Sequence, residues 1–213
     1  VLSQVGTDFE LAVFSGDLAD DRKRSTYEAL RARLAPVLER CRFIPGNHDD
    51  PALVASIFPA PRTLTPGGAN FVERRLGWCI VGVDTHPGSV DDAQLSALAE
   101  IEGPTLLFLH HPPVKLGSAW IDPTRLRNAN RLPTAGVRLL CHGHAHQDHR
   151  ATLQGVDVVG TPSTSVQFRP RSVLPLLDRG QNAGFRRFRL TAQDVQSELI
   201  RVPGTPTRGW LAF

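Results

Sequence analysis

Four short polar motifs, each placed directly after a run of apolar residues, constrain this chain more than any other feature. They are SGDLAD (15–20), PGNHDD (45–50), LHHPP (109–113) and CHGHAHQDH (141–149). The runs before them, FELAVFS (9–15), CRFIPG (41–46), TLLFLH (105–110) and VRLLCHG (137–143), read as buried strands. Polar groups gathered at strand ends are where α/β sheets place their ligand sites. Seven of the eight histidines fall in the last three motifs. Histidine clustered with Asp and Asn is what a metal site requires, since imidazole suits Zn, Fe, Mn or Ni and the carboxylate and amide groups supply hard oxygens. Gly16, Gly46 and Gly143 allow the sharp turns that would present these side chains beyond the sheet.

Each motif alone has a plainer reading. Asp17 and Asp20 could cap the helix that follows, and for Asp20 that is the expectation. GNHDD could be an ordinary turn, His110 and His111 a strand end, and HGHAH a stray metal-binding tract. Four such motifs in order, each at a strand end, point instead to one site.

The remaining elements complete a layered pattern. A helix is expected over 25–40, with Ser25 and Glu28 as a capping box and Tyr27, Leu30, Leu34, Val37 and Leu38 on one face. Residues 78–84 and 156–163 read as further strands, 91–101 as a short helix, and 185–203 as a C-terminal hairpin. Strands and helices alternate early and strands crowd together later, which predicts two sheets face to face with helices outside. A length of 213 residues suits one domain over 1–213 that needs no disulfide to hold its core.

Composition narrows the partners. The net charge is +3, and the tightest basic cluster, Arg186, Arg187 and Arg189, alternates with Phe185, Phe188 and Leu190 as in a strand with one solvated face. No nucleic-acid partner is expected. Cys41, Cys79 and Cys141 are odd in number and lack C-x-x-C spacing, which favours a reducing compartment and a cytoplasmic location. No apolar run reaches 18 residues, so neither a transmembrane helix nor a membrane partner is expected. Both monomer and dimer remain open.

The order G-D-x-x-D, G-N-H-D, H-x-P, G-H-x-H resembles the calcineurin-like metallophosphoesterases over nearly the whole chain. GSAWIDPTRLRNANRL (117–132) and GTPSTSVQFRP (160–170) resemble the bacterial class III 3′,5′-cyclic-nucleotide phosphodiesterases. The resemblance implies an α/β (α+β) fold: a four-layer α/β/β/α sandwich of two mixed sheets. It implies two divalent metal ions, such as Fe, Mn or Zn, and a cyclic nucleotide as the small-molecule substrate, with cyclic AMP giving 5′-AMP. By motif, Asp17 resembles the carboxylate that bridges both metals. Asn47, His110 and His144 resemble ligands of the second metal, and His146 a ligand of the first. His48 resembles the non-ligand histidine facing the leaving group. In H-x-P the first histidine is the ligand, which selects His110 over His111. Asn47, His48, His146 and Asn128 are the expected substrate contacts, with Trp120, Asp122 and Arg127 in the same rim segment.

One departure stands out. The family opens with a D-x-H motif after its first strand, and none precedes Asp17 here. Asp84-Thr85-His86 has the spacing but falls after G-N-H-D, where the family has an unrelated strand end. The expectation is that the first strand and most of the first helix lie outside this chain, leaving the first metal short of ligands. The rival functions are another phosphoesterase of the superfamily, acting on glycerophosphodiesters, 2′,3′-cyclic nucleotides or nucleotide-lipid substrates, and an inactive binding scaffold of the same fold.

Overall fold

The central element is a six-stranded mixed sheet in the order β3-β4-β5-β6-β8-β7, in a computed structural model that describes residues 8–192 and 194–206. Its strands are β3 (Phe71–Arg75), β4 (Trp78–Gly82), β5 (Thr105–Leu109), β6 (Val137–His142), β7 (His149–Leu153) and β8 (Val156–Gly160). Strands β4, β5, β6 and β8 run parallel, with β3 and β7 antiparallel at the two edges. Every residue of β4 and β5 is buried. That explains their unbroken apolar sequence, because a strand covered on both faces cannot alternate.

One face of this sheet presents Cys79, Val81, Leu107, Leu109, Leu140 and Val158 to Leu95 and Leu98 of a short helix, Asp92–Ala99, and to Leu126 and Leu132 of the loop beyond β5. The opposite face presents Ile80, Leu106, Phe108, Leu139, Cys141 and Val159 to a second β layer. That layer consists of two separate ladders. Strand β1 (Ala12–Ser15) pairs in parallel with β2 (Cys41–Ile44), and β9 (Asn182–Leu190) pairs antiparallel with β10 (Val195–Pro206). A single mixed second sheet was expected. Among the described residues no strand bonds the two ladders, and both are held by packing on the same six-stranded face: Val13 and Ile44 from one, Phe188, Leu190 and Val195 from the other.

The outer face of β1–β2 is covered by α1 (Arg24–Leu34) and α2 (Pro51–Ile57), so with the helix Asp92–Ala99 as α3 the order is helix, sheet, sheet, helix. Phe14, Phe43 and Phe58 stack in series there, at 4.8 Å and 4.1 Å between ring centroids. Tyr27 and Leu34 are buried on α1, and Leu30, Val37 and Leu38 pack beside them, as the helical spacing predicts.

Three expectations need correction. The Ser25–Glu28 capping box does not form. The helix begins one residue earlier than Ser25 and its N-cap is Lys23, without a side-chain bond. Asp21 serves the turn instead, accepting from Lys23 N at 3.1 Å and Thr26 Oγ1 at 3.0 Å. The helix also tightens to a 3₁₀ turn over Ala35–Arg40, where Pro36 enters. Finally, Arg186 is not on a solvated face: period-2 spacing puts it with Phe188 and Leu190, and it is 8% exposed, paired with Asp148 and donating to Gly160 O.

Candidate metal centre

The motifs meet where β1, β2, β5 and β6 end. Gly16 has a φ of 97°, and a Cβ there would lie 2.5 Å from Gly46 N. One on Gly46 would lie 2.6 Å from His110 Cε1 and overlap the Asp17 carboxylate. Only two glycines let the G-D and G-N-H-D turns approach this closely. Asp49, 1% exposed, then clamps the turns together. Its carboxylate accepts from Leu18 N at 2.9 Å, Ala19 N at 3.0 Å, Gly46 N at 2.8 Å and the Tyr27 hydroxyl at 3.1 Å. Asp17, His144 and His146 all lie in the left-handed region, at φ 57°, 60° and 52°. Such strain in non-glycine residues costs on the order of 1 kcal/mol or more each and concentrates at functional sites.

Hydrogen bonds fix the histidine tautomers. His110 Nδ1 lies 2.8 Å from Ser15 O, so it carries the proton and Nε2 keeps its lone pair. Thr124 Oγ1 donates to Ile121 O at 2.7 Å, and therefore accepts from His144 Nε2, also at 2.7 Å. That leaves the His144 Nδ1 lone pair free. The two free nitrogens face one another at 3.2 Å. Asn47 Oδ1 stands 3.0 Å and Asp17 Oδ2 3.4 Å from His110 Nε2. Four acceptor atoms thus converge with no donor among them. A divalent cation resolves this arrangement, and two imidazoles with a carboxylate and an amide oxygen are a fitting donor set for one. Burial, aided by the neighbouring histidines, pushes His144 down to about 2, which keeps it in the neutral, ligating form.

His146 sits apart from this knot. Its Nδ1 lies 2.9 Å from Val166 O, leaving Nε2 free, and its ring stacks on Phe168 at 5.1 Å. Burial lowers it to about 4 against the pull of the Asp17 charge. His111 belongs with His110 and His144: one ring nitrogen of each lies within 4.8 Å of the others. Thr85 Oγ1 accepts from His111 N at 3.2 Å and faces His111 Nδ1 at 2.9 Å. Burial, then His110, pushes His111 down to about 3. Asp84 Oδ1 accepts from His86 N at 2.8 Å, so the D-x-H stretch closes its own turn while Thr85 fastens His111.

His48 lies at the exposed side of the cleft. Its Nδ1 is 2.7 Å from Asp20 Oδ1, and its backbone N donates to Asp17 Oδ1 at 3.1 Å. Asp20 is therefore a partner of His48 and not a helix cap. Asn128 also departs from expectation. Its Oδ1 accepts from Val90 N at 3.0 Å and its Nδ2 donates to Val90 O at 2.7 Å, so both polar atoms are committed to joining two loops. Asp122 is likewise committed to Leu116 N and Gly117 N, and Arg127 to Pro87 O. The motifs assign no role to Asp49, the last residue of G-N-H-D, or to Thr85 and Thr124, whose bonds run to residues distant in the sequence.

A layered α/β sandwich with a cluster of histidine and oxygen acceptors at its strand ends is an arrangement that can hold a divalent cation. The family model for calcineurin-like phosphoesterases matches residues 3–148, and the chain belongs to that family. It is 34% identical over 182 residues to the 3′,5′-cyclic adenosine monophosphate phosphodiesterase CpdA of Vibrio vulnificus, covering 78% of this chain and 65% of that protein. It is 31% identical over 217 positions to a 3′,5′-cyclic-nucleotide phosphodiesterase of Nostoc, covering 95% of this chain and 80% of the relative. The chain thus spans less than two thirds of the Vibrio protein's length. Among solved structures, a dimetal phosphatase from Danio rerio superposes with a TM-score of 0.55 at 12% identity, over 90% of this chain and 83% of that one, a likeness of fold. The family implies divalent metal ions, which the donor set accommodates.

Proposed function

We propose that this chain is the catalytic part of a metal-dependent phosphodiesterase that hydrolyses 3′,5′-cyclic nucleotides, cyclic AMP to 5′-AMP, at a binuclear centre. The observation that carries this reading is the meeting of Asp17, Asn47, His110 and His144 acceptors, with the His48–Asp20 pair beside them. Those four residues would hold the second metal, and Asp17 with His146 would contribute to the first. Divalent ions held there would supply the activation of a water at neutral pH and offset the charge of the phosphate oxygens. His48, turned by Asp20, protonates the departing 3′ oxygen, a role worth roughly 10²–10⁴-fold. Asn47, His48 and His146 are the substrate contacts this reading proposes. The cyclic-nucleotide assignment rests on the names of relatives about a third identical. Three free, buried thiols suit a reducing cytoplasm.

The test is a substrate panel run on metal-loaded and chelated protein. Turnover of cyclic AMP that vanishes on chelation and returns with Mn or Fe is the expected result. Turnover confined to glycerophosphodiesters, 2′,3′-cyclic nucleotides or nucleotide-lipid substrates would overturn the substrate and keep the site. Tight metal binding without turnover of any of them would leave a binding scaffold.

A further inference from the structure

Between β8 and β9 the chain forms a finger. Its arms pair as a short antiparallel ladder: Phe168 bridges Leu177, Arg169 N donates to Leu176 O, and Asp178 N donates to Gln167 O, both at 2.8 Å. The base is fastened. Gln167 is 1% exposed, and its Oε1 accepts from Arg201 Nη1 at 2.9 Å. Leu176 N closes the tip on Leu174 O at 2.8 Å. A segment tied at base and tip presents its side chains in a set arrangement.

What it presents is apolar and cationic. Val173, Leu174 and Leu176 are 73%, 62% and 47% exposed, and with Leu76 on the β3–β4 turn they are the exposed large hydrophobics of the described residues. Leu76 stands alone, as scattered surface residues commonly do. The other three form one tip, flanked by exposed Arg169, Arg171 and Arg179, and Asp178 is the only carboxylate between 168 and 180.

The occupant follows from size and charge. A stable protein interface needs roughly 800 Å² from each partner, which three aliphatic side chains cannot supply. A second copy would also set three arginines against three more. An anionic bilayer satisfies both features: the apolar tip enters the boundary between headgroups and acyl chains while guanidinium groups meet lipid phosphates. We propose that the 169–179 finger docks this protein on an anionic lipid surface. Such contact differs from spanning, for which no described helix is long and apolar enough. Phe168 at the finger's base stacks on His146, so docking holds that edge of the cleft near the bilayer. The inference stands apart from the phosphodiesterase reading.

The experiment is flotation of the 213-residue chain with vesicles of phosphatidylcholine alone or mixed with phosphatidylglycerol. Binding is expected to the mixed vesicles only and to weaken as salt rises. Val173→Ser with Leu174→Ser, which leaves charge unchanged, and Arg169→Gln with Arg171→Gln should each cut binding about tenfold or more. All four residues are exposed, and unchanged thermal unfolding confirms that the variants fold. Failure to float on mixed vesicles overturns the proposal, and so does equal binding to phosphatidylcholine alone. Binding unaffected by the serine pair reduces it to adhesion of a basic protein, and overturns it too. A concentration-dependent dimer that the serine pair dissociates would give the finger to a second copy instead.

Discussion

His48 Nδ1 stands 2.7 Å from Asp20 Oδ1, although the two side chains are 51% and 92% exposed. A pair so open to water adds little to stability, so its value must lie in orienting the ring. Asp20 can only accept, so His48 Nδ1 donates to it, and this bond sets the ring orientation that leaves Nε2 for the site. Asp20→Asn should lower kcat about tenfold, and His48→Ala about a hundredfold or more, with metal content and unfolding midpoint unchanged in both. Metal analysis beside steady-state kinetics checks this. Loss of a metal equivalent in His48→Ala would make His48 a ligand.

Asp49 should matter for stability more than its place in an apparent turn implies. Its buried carboxylate accepts four hydrogen bonds from residues up to 31 positions away in sequence. Asp49→Ala leaves three backbone donors and the Tyr27 hydroxyl without their acceptor. A loss of about 3 kcal/mol is expected, read as a shift of the urea midpoint. Because the same carboxylate clamps the two metal-site turns, metal affinity should fall with it.

The site was more legible in the sequence than the frame around it. That Asp17, Asn47, His110 and His144 come together is legible because their motifs each follow an apolar run that reads as a strand. Asn128 misled because a motif-like stretch says nothing about which amide is committed to a backbone neighbour. Asp20 was read as a cap because capping is local, whereas its partner His48 lies across a loop contact. Edge strands β3 and β7 and helix α2 were passed over, though Asp50-Pro51 carried a start signal. Asp50 indeed accepts from Ala52 N and Leu53 N, with Pro51 at the first helical position. Arg186 was misplaced because three arginines in four residues look solvated until strand parity assigns one of them inward.

Acid should unfold the metal-free protein through its histidines. His142 and His111 are pushed down to about 3 and His146 to about 4, mainly by burial. In each case the folded value lies below the unfolded value of about 6.5, so the unfolded chain binds more protons between the two. Stability is then fully present above about pH 6.5 and lost as pH falls toward the folded values. Thermal midpoints in chelator should drop steadily from pH 7 to pH 4.5. Saturating Mn or Zn should move that decline to lower pH, because a bound cation holds its ligands deprotonated. A flat profile in chelator would contradict the burial of these rings.

Gly46→Ala tests the close approach of the turns. A Cβ at this position would crowd Asp17 and His110 together, and neither can move without leaving the cluster. Metal affinity should fall by roughly a hundredfold, while far-UV circular dichroism stays the same, since the strands on either side do not depend on this contact. Titration with Mn measures the affinity directly. Unchanged affinity would mean that the turns hold no common ion.

The two metal positions should not fill equally in this chain. On the proposed assignment, Asp17, Asn47, His110 and His144 would give the second site four ligands, gathered around His110 Nε2. The same assignment would give the first site only the shared Asp17 and His146, whose ring stacks on Phe168. Transition-metal sites that bind tightly use three or four protein ligands. About one tightly held equivalent per chain is therefore expected after desalting, with a second that exchanges readily. Without it the in-line clamp would be incomplete, so turnover should rise with added Mn as the weaker site fills. His144→Ala should release the tight equivalent, whereas His146→Ala should leave it and abolish the weak one. Elemental analysis of the three proteins decides the matter. Two tight equivalents with full turnover would require further ligands at the first site, and Asp84 and His86 would be the first to substitute.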